Sequence, residues 1–126
     1  MKINLIIDAA NEKIVFVIIA DKESYTSIHT NSRENFDKFM ELLLNFINKK
    51  KLKIGDIDRI FVNLGPGKFT SLRISLSIAK SLSLANKANL IGFKSSDLIN
   101  NNYLNLLQFD KKKLIIKDLI KPIYSS

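Results

Sequence analysis

A chain of 126 residues with 46% hydrophobic content has room for one domain around a single core, and that content argues against wholesale disorder. No run approaches the ~20 apolar residues needed to cross a bilayer, and the absence of cysteine rules out disulfides and thiolate metal sites. The net charge of +8 comes from 20 Lys and Arg against 12 acidic residues, but nearly all the cations are lysine amid abundant Asn and Ile, a bias that A+T-rich coding produces without any nucleic-acid partner.

The N-terminus opens directly on a strand pattern, with no signal-peptide architecture, which together with the lack of cysteine favours the cytoplasm. Lys2 to Asp8 and Lys13 to Ala20 read as strands joined through Ala9-Ala10-Asn11-Glu12, and Glu23 to Thr30 as a third, giving an antiparallel meander. Asn31 with Glu34 three positions on has the spacing of a capping box. The helix it would open, Asn31 to Lys50, carries Phe36, Phe39, Met40, Leu43, Phe46 and Ile47 at helical spacing, broadened by Leu42 and Leu44. Gly55 and its charged neighbours end that unit. Ile60 to Leu64 is a buried strand, Leu90 to Phe93 a short one, and Ser95 or Ser96 would cap a third helix through Leu107, weakened by the Asn100-Asn101-Asn102 run. Lysine runs at 49–51 and 111–113 fall at element ends and read as solvated loops, the alternative being a weak electrostatic contribution to nucleic-acid docking within a larger assembly.

Between the last two strands lies Leu64-Gly65-Pro66-Gly67-Lys68-Phe69-Thr70-Ser71-Leu72-Arg73. Two glycines around a proline make a rigid bend with access to positive φ. Thr70 stands where an N-cap is expected, and a strand, a glycine turn and a helix N-terminus together can hold an anion. The same turn also serves pure geometry in many strand–helix connections, so its chemistry stays open. The helix from Thr70 to about Lys87 has two apolar sectors, Leu72/Leu76/Ala79 and Ile74/Ile78/Leu82/Ala85, separated by the small Ser71 and Ser75. A helix lying on a sheet needs only a ~100° stripe. Both helices exceed it, which calls for a helix-on-helix partner unless the third helix or the C-terminal segment covers the excess.

Catalytic groups are scarce. His29 is the single histidine and sits in a strand pattern, without the spacing of a zinc site or a nucleophilic triad. Asp8, ending the first strand, is the one carboxylate to weigh as a catalytic group, yet no glycine turn follows it to cradle phosphate; its other role is to cap a turn.

Gly65-Pro66-Gly67-Lys68-Phe69-Thr70-Ser71-Leu72-Arg73-Ile74 resembles the GPGSFTGLRIG signature of the TsaB family, actin-like partner subunits in synthesis of threonylcarbamoyladenosine at position 37 of tRNA. In order along the chain, Leu5–Ala10 resembles LAIDTS, Arg33-Glu34-Asn35 an R-x-H or R-E-H, Ala79–Leu82 AKGLA and Ile91–Ser96 IGVSSL. The sequence departs from the pattern at Lys68 for the usual Ser, at Ser71 and Ser75 for Gly, and at Ala9 for Thr.

The resemblance implies an α/β fold: a single ribonuclease-H-like, actin-like (ASKHA) lobe with order βββαβαβα over residues 1–108. Residues 109–126, with Pro122-Ile123-Tyr124 resembling the family's P-x-Y ending, are then a remnant of a second lobe. It implies a non-catalytic accessory subunit with no cofactor or metal of its own. Its implied partners are a TsaD-like catalytic subunit, a TsaE-like ATPase, a second copy of itself when alone, and tRNA indirectly, with no membrane. The expected interface is Phe36, Phe39, Met40, Leu43, Ser71, Arg73, Ile74, Ser75, Ile78 and Leu82; candidate nucleotide contacts are Asp8, Gly65, Gly67 and Thr70. The alternatives are a reduced actin-fold nucleotide hydrolase using Asp8, a basic RNA-binding module, and a remnant that only homodimerises.

Overall fold

The computed structural model describes residues 2–100 and 102–108; the expectation for 109–126 lies outside the described residues. Strands β1 (Ile3–Asp8), β2 (Lys13–Ala20) and β3 (Glu23–Thr30) form the expected antiparallel meander, with Leu5 opposite Ile18 and Phe16 opposite Ser27. Strand β4 (Arg59–Asn63) pairs parallel with β1, placing Ile6 beside Phe61, and β5 (Asn89–Phe93) pairs parallel with β4. The order β3-β2-β1-β4-β5 makes one mixed sheet, α/β in class. β1 and β4 are covered on both faces and buried along their length, which is why they read as unbroken apolar runs rather than alternating ones.

Alternation sorts the sheet's side chains into two layers. Leu5, Ile7, Ile14, Phe16, Ile18, Ile60, Val62 and Leu90 point to one face, where helices α1 (Arg33–Asp37), α2 (Phe39–Lys49) and α3 (Phe69–Asn86) cover them. The single helix expected over 31–50 is thus two. Lys38 leaves helical geometry (φ −121°, ψ 27°) and donates its N–H to Phe36 O, so the axis breaks there. Beyond the break the Phe39 ring enters the core edge-on to Phe16, 5.3 Å between centroids, while Phe36 stays half-buried.

Both expected caps are corrected. Ser32, not Asn31, occupies the N-cap of α1, because the Asn31 amide is engaged in the β1–β2 turn, donating to Ala9 O at 3.0 Å and Asn11 O at 2.6 Å. The N-cap of α3 is Lys68, two residues before the expected Thr70, so Thr70 lies exposed in the first turn. The third helix does not form. Residues Ser95–Asp97 and Tyr103–Gln108 make 3₁₀ turns, and between them Asn100 takes a left-handed φ of 54°, a conformation Asn tolerates and a helix does not. This segment lies on the opposite face from the helices: Leu98, Tyr103, Leu106 and Leu107 pack against Ile6, Val17, Ile19, Phe61, Ile91 and Phe93.

The Gly-Pro-Gly turn sets where α3 begins. Gly65 has φ 105°, a region side chains avoid, and precedes a cis Pro66. A Cβ on Gly67 would lie 2.6 Å from Ala10 O and 3.0 Å from its Cα, backbone that cannot yield as a side-chain tip would. Gly67→Ala is therefore expected to cost about 1–3 kcal/mol, as overpacking does. Thermal unfolding followed by circular dichroism checks it against Gly55→Ala, where a Cβ meets nothing within 4 Å and stability should hold.

Candidate functional site

The carboxyl ends of the parallel strands bring together Asp8 from β1, Asn63 from β4 and Ser95 after β5, at the edge where open α/β sheets hold ligands. Asp8 is 2% exposed and both its oxygens are engaged. Oδ1 accepts from Ala10 N–H at 3.2 Å and from Asn63 Nδ2 at 3.0 Å; Oδ2 accepts from the Tyr103 hydroxyl at 2.7 Å. Asn63 Nδ2 also donates to Ser95 Oγ at 3.0 Å, and its Oδ1 accepts from Gly65 N–H at 2.8 Å. Asp8 thus caps its own turn, clasps the Gly-Pro-Gly turn through Asn63 and anchors the segment carrying Tyr103. Burial, then the adjacent carboxylate and the hydrogen bond to it, hold the Tyr103 phenol well above its usual pKa, so it remains a donor at physiological pH.

The four candidate nucleotide contacts therefore fare differently. Asp8, Gly65 and Gly67 do meet at this edge, but each serves an internal contact: Gly65 N–H is held by Asn63 and Gly67 closes on Ala10. Thr70 points elsewhere, on exposed helix. A pocket of about 430 Å³ beside Asp8 is lined by Asn11, Glu12, Lys13, Val15 and Tyr103, without the glycine turn. Among the described residues, no group of three or more His, Asp or Glu is placed to share a metal ion, and no helix is long and apolar enough to cross a membrane.

The expected interface residues split by burial. Phe39, Leu43, Leu82, Ser71 and Ser75 are buried within the chain itself, the first three in the core cluster against the sheet's apolar face, so the free apolar surface is smaller than expected. The Ser71 and Ser75 hydroxyls turn back to Lys68 O and Leu72 O, at 3.3 and 3.0 Å. Phe36, Met40, Ile74 and Ile78 remain half-buried along the rim of that core, with Arg73 exposed beside them and its guanidinium 5.5 Å from the Phe69 ring. Leu84, further along α3, is 69% exposed.

Sequence reasoning missed Asn63, Tyr103 and the Asn4–Arg59 pair. Arg59 Nε donates to Asn4 Oδ1 at 2.6 Å, and Asn4 Nδ2 to Ile19 O at 3.0 Å, all buried at the other end of the sheet. A polar residue closing or opening an otherwise apolar strand was the signal available. His29 lies on β3, its Nε2 2.7 Å from Ser27 Oγ and its ring 5.7 Å from that of Phe16. Desolvation first, then Lys49 and Lys38, lower its pKa.

The comparisons with known proteins agree with this geometry. A family model described as TsaD, tRNA N6-adenosine threonylcarbamoyltransferase, matches residues 17–105. The tRNA threonylcarbamoyladenosine biosynthesis protein TsaB of Buchnera aphidicola subsp. Schizaphis graminum is 25% identical over 112 residues, 89% of this chain and 52% of that protein. The tRNA N6-adenosine threonylcarbamoyltransferase of Kosmotoga olearia is 33% identical over 78 residues, 62% of this chain and 23% of the enzyme. Among solved structures, YeaZ from Pseudomonas aeruginosa superposes with a TM-score of 0.73 at 14% identity, over 89% of this chain and 50% of YeaZ. RuvC from T. thermophilus, in complex with a Holliday junction substrate, gives 0.52 at 8% identity over 77% of this chain and 67% of RuvC. These likenesses establish the actin-like, ribonuclease-H-like fold, and the chain spans about half the length of the TsaB relative and of YeaZ.

The site sets two expectations for stability. Tyr103→Phe removes a hydrogen bond to a buried carboxylate and should lower unfolding free energy by about 1.5–3 kcal/mol in urea titrations. For His29, the folded pKa lies below the unfolded value, so its contribution is complete above pH 6.5 and is lost as pH falls below it. The loss of stability on acidification from neutral pH to below 6.5 should be smaller in His29→Gln than in the parent.

Proposed function

The chain belongs to the family described as TsaD, tRNA N6-adenosine threonylcarbamoyltransferase, as a TsaB-like form of it, and from that premise we propose that it is a non-catalytic subunit in tRNA threonylcarbamoyladenosine synthesis. It docks a TsaD-like catalytic subunit through the outer face of α1, α2 and α3, and uses the same face to pair with itself when alone.

One observation carries the reading. The segment 95–108, one of the two intramolecular candidates for covering the helices (the other, 109–126, lies outside the described residues), packs on the other side of the sheet, and among the described residues Phe36, Met40, Ile74 and Ile78 are half-buried, with Arg73 exposed. Half-buried apolar side chains, Met and an aromatic among them, with an exposed arginine in the same helices match the composition enriched at interfaces. The non-catalytic half of the reading is supported by Asp8, whose oxygens are spent on Ala10, Asn63 and Tyr103. Transfer of the threonylcarbamoyl group belongs to the partner; this chain's contribution is to hold that partner's helices in register.

The test is co-elution of the chain with its cognate TsaD-like subunit on size exclusion. Ile74→Glu with Ile78→Glu, and separately Arg73→Glu at an exposed position, are expected to abolish co-elution or weaken it about tenfold or more while circular dichroism stays unchanged. Undiminished co-elution of both variants would overturn the docking face. Phe39 is unsuited to such a test, since truncating a buried phenylalanine costs about 3–5 kcal/mol of stability in itself.

A further inference from the structure

The run Lys49-Lys50-Lys51, read from sequence as a solvated loop, borders a groove of about 690 Å³ between β3 and α2. Thr26, Ser27 and His29 line it from the strand, and Leu42, Asn45, Phe46, Asn48, Lys49 and Lys50 from the helix side. No carboxylate is among them. The neighbouring pocket of about 740 Å³, which shares Lys50, carries Asp21 and Glu23 and so is not selective for anions.

The cations around the groove are not equivalent. Lys38 is paired with Glu34 at 3.8 Å, and Lys50 lies 4.1 Å over the Tyr25 ring. Lys49 has neither kind of partner among the described residues, and it stands close enough to His29 to oppose that ring's protonation. The Asn45 and Asn48 amides supply further donors on the same wall, and Ser27 Oγ is held by His29. An uncompensated ammonium, two amides and a polarised serine–histidine pair, with an apolar base from Leu42 and Phe46, form a donor-rich trough that favours a phosphate oxygen.

We propose that this groove takes a backbone phosphate of RNA, with Lys49, Asn45 and Asn48 as its contacts. The choice of RNA over a free phosphate rests on the tRNA reading given above; the groove itself is on the β3 side of α2, away from Ile74 and Ile78. It gives the subunit a grip on the tRNA separate from its grip on the enzyme.

The experiment uses the whole chain, a fluorescent RNA hairpin, and inorganic phosphate as the competing probe. Each phosphate contact by a lysine contributes roughly one unit to the salt slope and roughly threefold in affinity at low salt. Lys49→Ala should therefore weaken hairpin binding roughly threefold and flatten the slope by about one unit. Asn45→Ala with Asn48→Ala should weaken it further with no change of slope, and Lys94→Ala, beyond the opposite edge strand, should change neither. The His29 ring resonances should shift on adding the hairpin to the parent and not to Lys49→Ala. Equal losses in Lys49→Ala and Lys94→Ala, or an unmoved His29, would overturn the site. Phosphate binding as tightly as the hairpin would overturn its assignment to RNA. Co-elution of Lys49→Ala with the TsaD-like subunit reads the docking face separately, so either proposal can fail alone.

Discussion

The turn from Asp8 to Asn11 is the junction on which the rest of the lobe depends. Asp8 caps it through Ala10 N–H, the Asn31 amide ties Ala9 O and Asn11 O from the entry to α1, and Gly67 lies against Ala10 so closely that only hydrogen fits. Three segments far apart in the chain are thereby fixed to one point. The Asp8 cap is local in sequence, whereas Asn31 and Gly67 reach the turn from about 20 and more than 50 residues away, Gly67 across the paired β1 and β4. With Gly67 so placed, the start of α3 is set, and with it the angle at which α3 lies beside α2.

That placement divides the molecule into two faces with different fates. On one, the helices meet the larger core and leave a rim of Phe36, Met40, Ile74 and Ile78; on the other, the 3₁₀ segment closes over Ile6, Phe61 and Phe93. Asp8 sits between them and serves both through Asn63 and Tyr103. A carboxylate at the end of the first strand is where actin-like chemistry would begin, and here it is consumed in joining segments. The surfaces proposed for binding are the helix rim and the lysine-bordered trough at the β3 edge.

The strands were legible because alternation and unbroken apolar runs are local signals: all five fall within a residue of where hydropathy puts them. The helices were legible in extent but not in detail. A continuous stripe from Phe36 to Ile47 gives no warning that Lys38 breaks the axis, because both pieces still bury one side. Counting apolar positions also overstated the free surface, since a sheet this apolar absorbs Phe39, Leu43 and Leu82. The 95–108 segment failed because the Ser95 or Ser96 cap was given more weight than the Asn100-Asn101-Asn102 run, the one local signal against a helix, where Asn100 takes left-handed geometry. At the site, Asp8 was visible by position, whereas its partners Asn63 and Tyr103 lie 55 and 95 residues away and carry no local mark.

The outer face of α1, α2 and α3 is proposed as a docking surface for a TsaD-like enzyme. Amide hydrogen exchange on the chain, free and saturated with that subunit, tests it most directly. Docking there slows exchange in residues 33–49 and 69–86 and leaves 95–108 at its free rates. Protection confined to 95–108, or none beyond the free chain, would contradict it.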